Sequence, residues 1–230
     1  MDTTLNDIKK HKPCRHELKT LQASLDSYPH DQRIRLDHII KSNGVEFAIW
    51  CLRAVEGFAK EKRLLAVAFA RQLDLTYAHP AARHDHQAKN WVDVSERFAK
   101  GLASAEELAY ARLPYDLYEA SLKYSELCYK YYEKVEKEGK GELYFADEAG
   151  ELANDIVSVF EKLYDYSTER IRAAYATTLD DPSEAAMEAA NSVVTWLERH
   201  GETAKERKEL KEKALAKLEG ILWEMLESLE

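Results

Sequence analysis

Apolar residues recur along this chain at intervals of three and four, the spacing of one face of an α-helix. No strand pattern is persuasive; the alternation at residues 143–145 is too brief to count. The reading is an all-α chain, a multi-helix bundle of roughly eight to ten helices, with the long helices in the C-terminal half. Its centre is expected at residues 43–73. Val45, Ala48, Ile49, Leu52 and Val55 share one face, and Phe47, Trp50, Cys51 and Ala54 widen it until the helix is apolar nearly all round, the signature of a central helix. A second broad run carries Leu64, Leu65, Val67, Ala68, Phe69 and Leu73. Lys60-Glu61-Lys62-Arg63 reads as a charged break in solvent between two antiparallel helices.

The flanking elements follow from start and stop signals. Residues 3–10 make one or two helical turns. Pro13 suits the first turn of a helix running to about Leu25, and a short helix spans about 34–41 before the stop at Asn43-Gly44. A loop with Pro80 covers 77–85, and a helix with Trp91, Val92, Val94 and Phe98 runs over about 84–100 to Gly101. Ser104 and Glu107 form a capping box that opens a long helix over 105–137, with Pro114 expected to kink or divide it. A second long helix is read over 146–179, with Leu152, Ile156, Val159, Phe160 and Leu163 as its apolar face. Asp181-Pro182 starts an alanine-rich helix, and Thr203 caps the last one. The last helix has a near-heptad seam of Leu210, Ala214, Leu218, Ile221, Met225 and Leu229. That seam packs within the chain or faces a second copy, so the chain is a monomer or a homodimer.

Composition narrows the class. With 33% charged residues, 8 Gly and 5 Pro in 230, long solvated helices are favoured and turns are few. Three widely spaced cysteines, Cys14, Cys51 and Cys128, do not make a disulfide framework. No leader pattern opens the chain and no apolar run is long enough for a membrane span, so the expectation is a cytoplasmic protein with free thiols. The net charge of −9 is uneven: residues 1–100 carry 17 Lys+Arg against 13 Asp+Glu, and residues 101–230 carry 16 against 29. A basic front and an acidic rear fit either an acidic face aimed at a basic partner or ordinary solvated helix faces. The organisation expected is one continuous domain, an N-terminal helical core over 1–102 with an acidic, tyrosine-rich helical region over 103–230 packed against it.

Candidate chemistry is sparse. His79, His84, Asp85 and His86, with His11, Cys14 and His16, hold metal-ligating types, yet their spacing matches no zinc finger or ribbon. His79, His84 and His86 are thus weak metal candidates. Cys51 sits mid-helix among apolar neighbours, as an inert buried thiol does. No nucleophile motif, phosphate loop or acid–base constellation stands out, no cofactor is expected, and the reading is non-enzymatic. No concentrated Lys/Arg stripe supports direct nucleic-acid binding. The acidic rear could mimic DNA, although Lys205, Lys208, Lys211, Lys213 and Lys217 interrupt it. The expected binding surface is the tyrosine-rich helix: Tyr115, Tyr118, Tyr129 and Tyr132 with Glu119, Glu126 and Glu133. Tyrosine serves equally as interface anchor and as core filler, and both readings stand.

Several short motifs occur in a recognisable order. They are Pro13-Cys14 with Leu18 and Leu21, then Asn43-Gly44, Ala48 and Trp50-Cys51-Leu52-Arg53-Ala54, then Arg63-Leu64-Leu65-Ala66-Val67-Ala68-Phe69-Ala70-Arg71. Val94-Ser95-Glu96-Arg97-Phe98-Ala99-Lys100-Gly101-Leu102-Ala103-Ser104 and Glu106-Glu107-Leu108 follow. Over residues 12–125 this resembles a family of alanine-rich helical immunity proteins of bacteria and phages, of the polymorphic-toxin type. The chain departs from the family where Tyr, Lys and Glu replace much of the alanine-rich array. The resemblance implies a helical inhibitor that neutralises a toxin or other effector, with no catalytic residues to carry over. The alternative is a phage-encoded anti-defence protein that binds a nuclease or nucleic-acid-guided complex.

Overall fold

The computed structural model describes residues 1–25, 29–73, 85–138, 143–164 and 169–229. Among them, in chain order, are β1 (Asp2–Thr4), α1 (Leu5–Lys10), α2 (Arg15–Ser24), β2 (Arg33–Arg35), α3 (Leu36–Asn43), α4 (Val45–Cys51) and α5 (Ala59–Ala70). They continue with α6 (Asp85–Ala99), α7 (Ala105–Glu138), α8 (Leu143–Tyr164), α9 (Glu169–Ala176), α10 (Pro182–Arg199) and α11 (Ala204–Glu227). The protein is all-α, with 11 helices among the described residues rather than the eight to ten expected. No helix among the described residues is long and apolar enough to cross a membrane.

The two strands escaped the sequence pattern because three residues are too few to show alternation. They pair antiparallel, Asp2 with Arg35 and Thr4 with Arg33. The middle residues, Thr3 and Ile34, point into the core. Thr3 donates its hydroxyl to the Ala54 carbonyl at 2.6 Å, and Thr4 caps α1 by accepting from the Asp7 amide. Because Ile34 belongs to β2, α3 starts at Leu36. Helix α2 starts after Pro13, at Arg15, with Cys14 as its cap. Gly44, at φ 87°, ends α3 and starts α4, as the Asn-Gly signal predicts.

The expected hairpin at 43–73 is not formed, and the charged tetrad is not its break. The chain leaves α4 through a 3-10 turn at Leu52–Ala54 and then takes left-handed backbone at Gly57 (φ 73°) and Phe58 (φ 56°). Lys60 to Arg63 lie inside the first turns of α5. Helix α4 packs on α3, whereas α5 lies against α10, α6, α11 and α9 and is the central helix of the fold.

Two of the tetrad's cations are buried, Lys62 at 4% and Arg63 at 3% exposure. Each survives because carbonyls receive it. Lys62 donates to the Val55 carbonyl at 2.5 Å, closing the loop that precedes its own helix, and burial lowers its pKa. Arg63 donates to the carbonyls of Thr177 at 2.6 Å, Leu179 at 2.6 Å and Asp180 at 3.1 Å. Its guanidinium also lies over the Phe98 ring, 5.2 Å from the centroid. These carbonyls follow the C-terminus of α9, where helical partners run out and the helix dipole is negative, so a cation is favoured there.

Of the helix expected over 146–179 the described parts are α8 and α9, residues 165–168 lying outside the described residues, and α9 ends in the turn that Arg63 holds. Asp181 then caps α10 by accepting from the Ser183 and Glu184 amides, with Pro182 in the first turn. Ala185, Ala186, Ala189, Ala190 and Val193 are all buried, and the small side chains let α10 lie close to α5. One hydrophobic cluster runs from Leu5 to Leu226, across the boundary expected near residue 102.

Helix α7 continues through Pro114 without dividing. The last helix packs within the chain, on α10, α5, α4 and α3. Its buried seam is Ala214, Leu218, Leu222 and Leu226, a strict spacing of four, in place of the near-heptad expected. Ile221 and Met225 are only half-buried, and Leu229 is exposed.

Replacing Arg63 by Met leaves three carbonyls at the end of α9 without their donor. We expect R63M to lose about 3 kcal/mol of folding stability in urea denaturation. A loss below about 1 kcal/mol contradicts the anchoring role.

Candidate functional site

The tyrosines of α7 separate into two groups with different work. Tyr115 and Tyr118 are buried. Tyr115 stacks on Tyr175 of α9, with ring centroids 4.0 Å apart, and Trp91 of α6 meets both edge-on at 6.0 Å. Pro114 supplies no N–H to the helical ladder. In the same turn the Ala111 carbonyl accepts the Trp91 indole N–H at 2.5 Å. The Tyr175 hydroxyl donates to Asp116 Oδ1 at 2.6 Å, and Arg112 bridges Asp116 at 3.1 Å and Asp180 at 2.8 Å. Burial pushes both phenols above the ordinary tyrosine range, helped by the carboxylate of Glu119 beside Tyr115 and of Asp116 beside Tyr175. Protonated phenols of this kind are neither nucleophiles nor bases near neutral pH. The cluster joins α6, α7 and α9.

A cleft of about 660 Å³ opens above this cluster between α7, α9 and α10. Its rim mixes cations and anions: Lys123, Arg172 and Arg199 with Asp116, Glu119 and Glu188. Burial and the neighbouring Glu184 raise the Glu188 carboxyl. The Tyr175 hydroxyl and Asp116 both line this space, but the raised phenol keeps its proton and offers no nucleophile near neutral pH.

The second group lies further along α7, where α8 runs back beside it. Ser125 donates to Asn154 at 2.6 Å, and Gly150 faces Cys128, where an added Cβ would touch the Cys128 Cβ at 3.4 Å. As numbers rise on α7 they fall on α8, so the pair is antiparallel. Between them is a groove of about 430 Å³ lined by Ser125, Glu126, Tyr129, Tyr132, Glu151 and Asn154, with Cys128 and Gly150 at its floor. Tyr129 and Tyr132 are exposed there. Glu126 pairs with Lys130 at 2.6 Å and Glu133 with Lys137 at 3.9 Å, both on the surface. Of the expected binding set, the structure therefore brings Tyr129, Tyr132 and Glu126 to one groove, with Glu133 one turn beyond Tyr129. Tyr115 and Tyr118 belong to the core, and Glu119 stands at the first cleft.

The remaining sequence candidates fall elsewhere. His79 and His84 lie outside the described residues, and His86 is in the first turn of α6, where side chains are not described. Among the described residues no three metal-ligating side chains come together. Cys51 is fully buried and burial pushes its thiol up. Sequence reasoning missed an exposed apolar row on α7 that includes Leu113, Leu117, Tyr124, Leu127 and Tyr131. Leu152, Ile156 and Val159, read from the sequence as apolar positions of a long helix, are exposed on α8. The signal was present: α7 carries two separate stripes at helical spacing, more than one core can absorb.

No protein-family model matches the sequence, and neither curated proteins nor solved structures give a significant match.

The raised phenols carry a pH dependence with a fixed sign. Their stabilisation is complete below the ordinary tyrosine pKa of 10.0 and is lost as pH rises through the elevated values in the fold. Stability of the native protein should fall steeply above about pH 10, and the double variant Y115F/Y175F should lose much of that slope. Equal slopes in urea titrations of the two proteins would contradict the assignment.

Proposed function

We propose that the protein is a non-enzymatic, immunity-type binder that neutralises a protein partner by holding a basic segment of it in the α7–α8 groove. The observation that carries this reading is the groove itself, where exposed Tyr129 and Tyr132 stand beside Glu126 and Glu151. Tyrosine rings offer large contact area at low entropic cost, and carboxylates at the rim select a cationic ligand. The acid excess over residues 101–230, 29 against 16, adds a long-range attraction of the same sign. The motif resemblance over residues 12–125 supports a toxin as the partner class. The acidic balance also favours a second reading, an anti-defence protein that occupies the basic channel of a nuclease or nucleic-acid-guided complex.

The test is co-expression with each toxin-like protein encoded beside its gene, followed by titration of the purified pair. Growth should be rescued, and Y129A/Y132A should weaken binding by about 2 kcal/mol, roughly thirtyfold. Binding of either partner class should weaken as salt rises. Neutralisation that survives the double variant unchanged would place the site elsewhere, and salt-independent binding would contradict the electrostatic part.

A further inference from the structure

The apolar row on α7 has a period of its own. Tyr110, Leu113, Leu117, Ala120, Tyr124, Leu127 and Tyr131 alternate spacings of three and four over three heptads, the a and d positions of a coiled coil. The large members are 45% to 78% exposed. Along α8, Ala149, Leu152, Ile156 and Val159 repeat the spacing, and the last three are exposed at 63%, 38% and 53%.

Both rows face the same way. On each helix the row stands one position before the residues turned toward the other helix or the core. Tyr124 precedes Ser125 and Leu127 precedes Cys128, while Ala149 precedes Gly150, Leu152 precedes buried Ala153 and Ile156 precedes buried Val157. An equal offset on two antiparallel neighbours turns both rows to one side of the hairpin. Glu126, Tyr129 and Glu151 follow those inward-facing positions instead, so the groove they line opens on the other side.

We propose that this face is covered by a second copy of the chain, two α7–α8 hairpins closing into an antiparallel four-helix bundle about a dyad parallel to the hairpin axis. The charges beside the rows select this occupant. Lys123 and Lys130 flank the row on α7, and Glu148 and Asp155 occupy the equivalent flank on α8. One hairpin thus has a basic edge and an acidic edge, which makes the face self-complementary under a two-fold axis. The intrachain pairs Ser125–Asn154 and Cys128–Gly150 set which residues lie level. With α7 of one copy over α8 of the other, Lys123 meets Asp155 and Lys130 meets Glu148. At the same levels Ala120 meets Val159, Tyr124 meets Ile156 and Leu127 meets Leu152. Setting α7 on α7 instead would bring the lysines together and is disfavoured. The Lys130–Glu126 pair, 65% exposed on both sides, is no obstacle, because exposed ion pairs exchange at little cost.

The assembly leaves both tyrosine grooves open, so it does not depend on the function proposed above. Sedimentation or light scattering of the purified chain should give twice the mass of 26.5 kDa. L127E, at an exposed position, should be a monomer with unchanged helical circular dichroism. K123E/K130E and E148K/D155K should each be monomeric alone, since each sets like charges edge to edge. Mixed, they should form a one-to-one dimer, and a chain carrying all four changes should dimerise again. A native chain that is monomeric at high micromolar concentration, a dimer that survives L127E, or charge variants that stay monomeric when mixed would overturn the proposal.

Discussion

The fold depends on one buried guanidinium. Arg63 sits near the start of the central helix and holds three carbonyls beyond the end of α9, more than 110 residues later in the chain. Burying a cation is costly unless every donor finds a partner. Here the acceptors are main-chain carbonyls at a helix C-terminus, an end that lacks its own donors and carries the negative pole of the dipole. Each side therefore satisfies a need of the other. The planar fork of arginine is what reaches three carbonyls together, which a lysine at the same position could not reproduce.

With that turn held, Asp181 can cap α10, and α10 can lie along α5 through its alanines. The aromatic cluster of Trp91, Tyr115 and Tyr175 then ties α6 and the first half of α7 to the same body. Further along α7 its main neighbour among the described residues is α8. That arrangement explains the surface: among the described residues each helix of the hairpin packs mainly on the other, and the hairpin keeps two open faces. One face carries an acidic, tyrosine-lined groove, and the other an uncovered heptad row.

Much of the fold was legible in the residues. Capping chemistry is local, so the Ser104–Glu107 and Thr203–Glu206 boxes and the Asp181 cap are where the sequence places them. Gly44 likewise ends its helix as expected. The failures were long-range. Nothing local to Lys60-Glu61-Lys62-Arg63 tells that carbonyls of the distant 177–180 turn will take in one of its cations, so the stretch read as solvent-exposed. The stripes of α7 were similarly ambiguous: periodicity places Tyr115 and Tyr129 near one strip of the helix, but only the extent of α8 and α9 decides which is covered. Leu152 and Ile156 have the local character of core residues, and they are surface because no element among the described residues covers them.

The central claim is that α5, α9 and α10 form one cooperative unit closed by Arg63. Native-state hydrogen exchange tests it most directly. If the claim holds, amides of α5, α9 and α10 should be exposed together in a single opening with the free energy of global unfolding. Exchange of α9 through a separate, low-energy opening, while α5 and α10 stay protected, would contradict it.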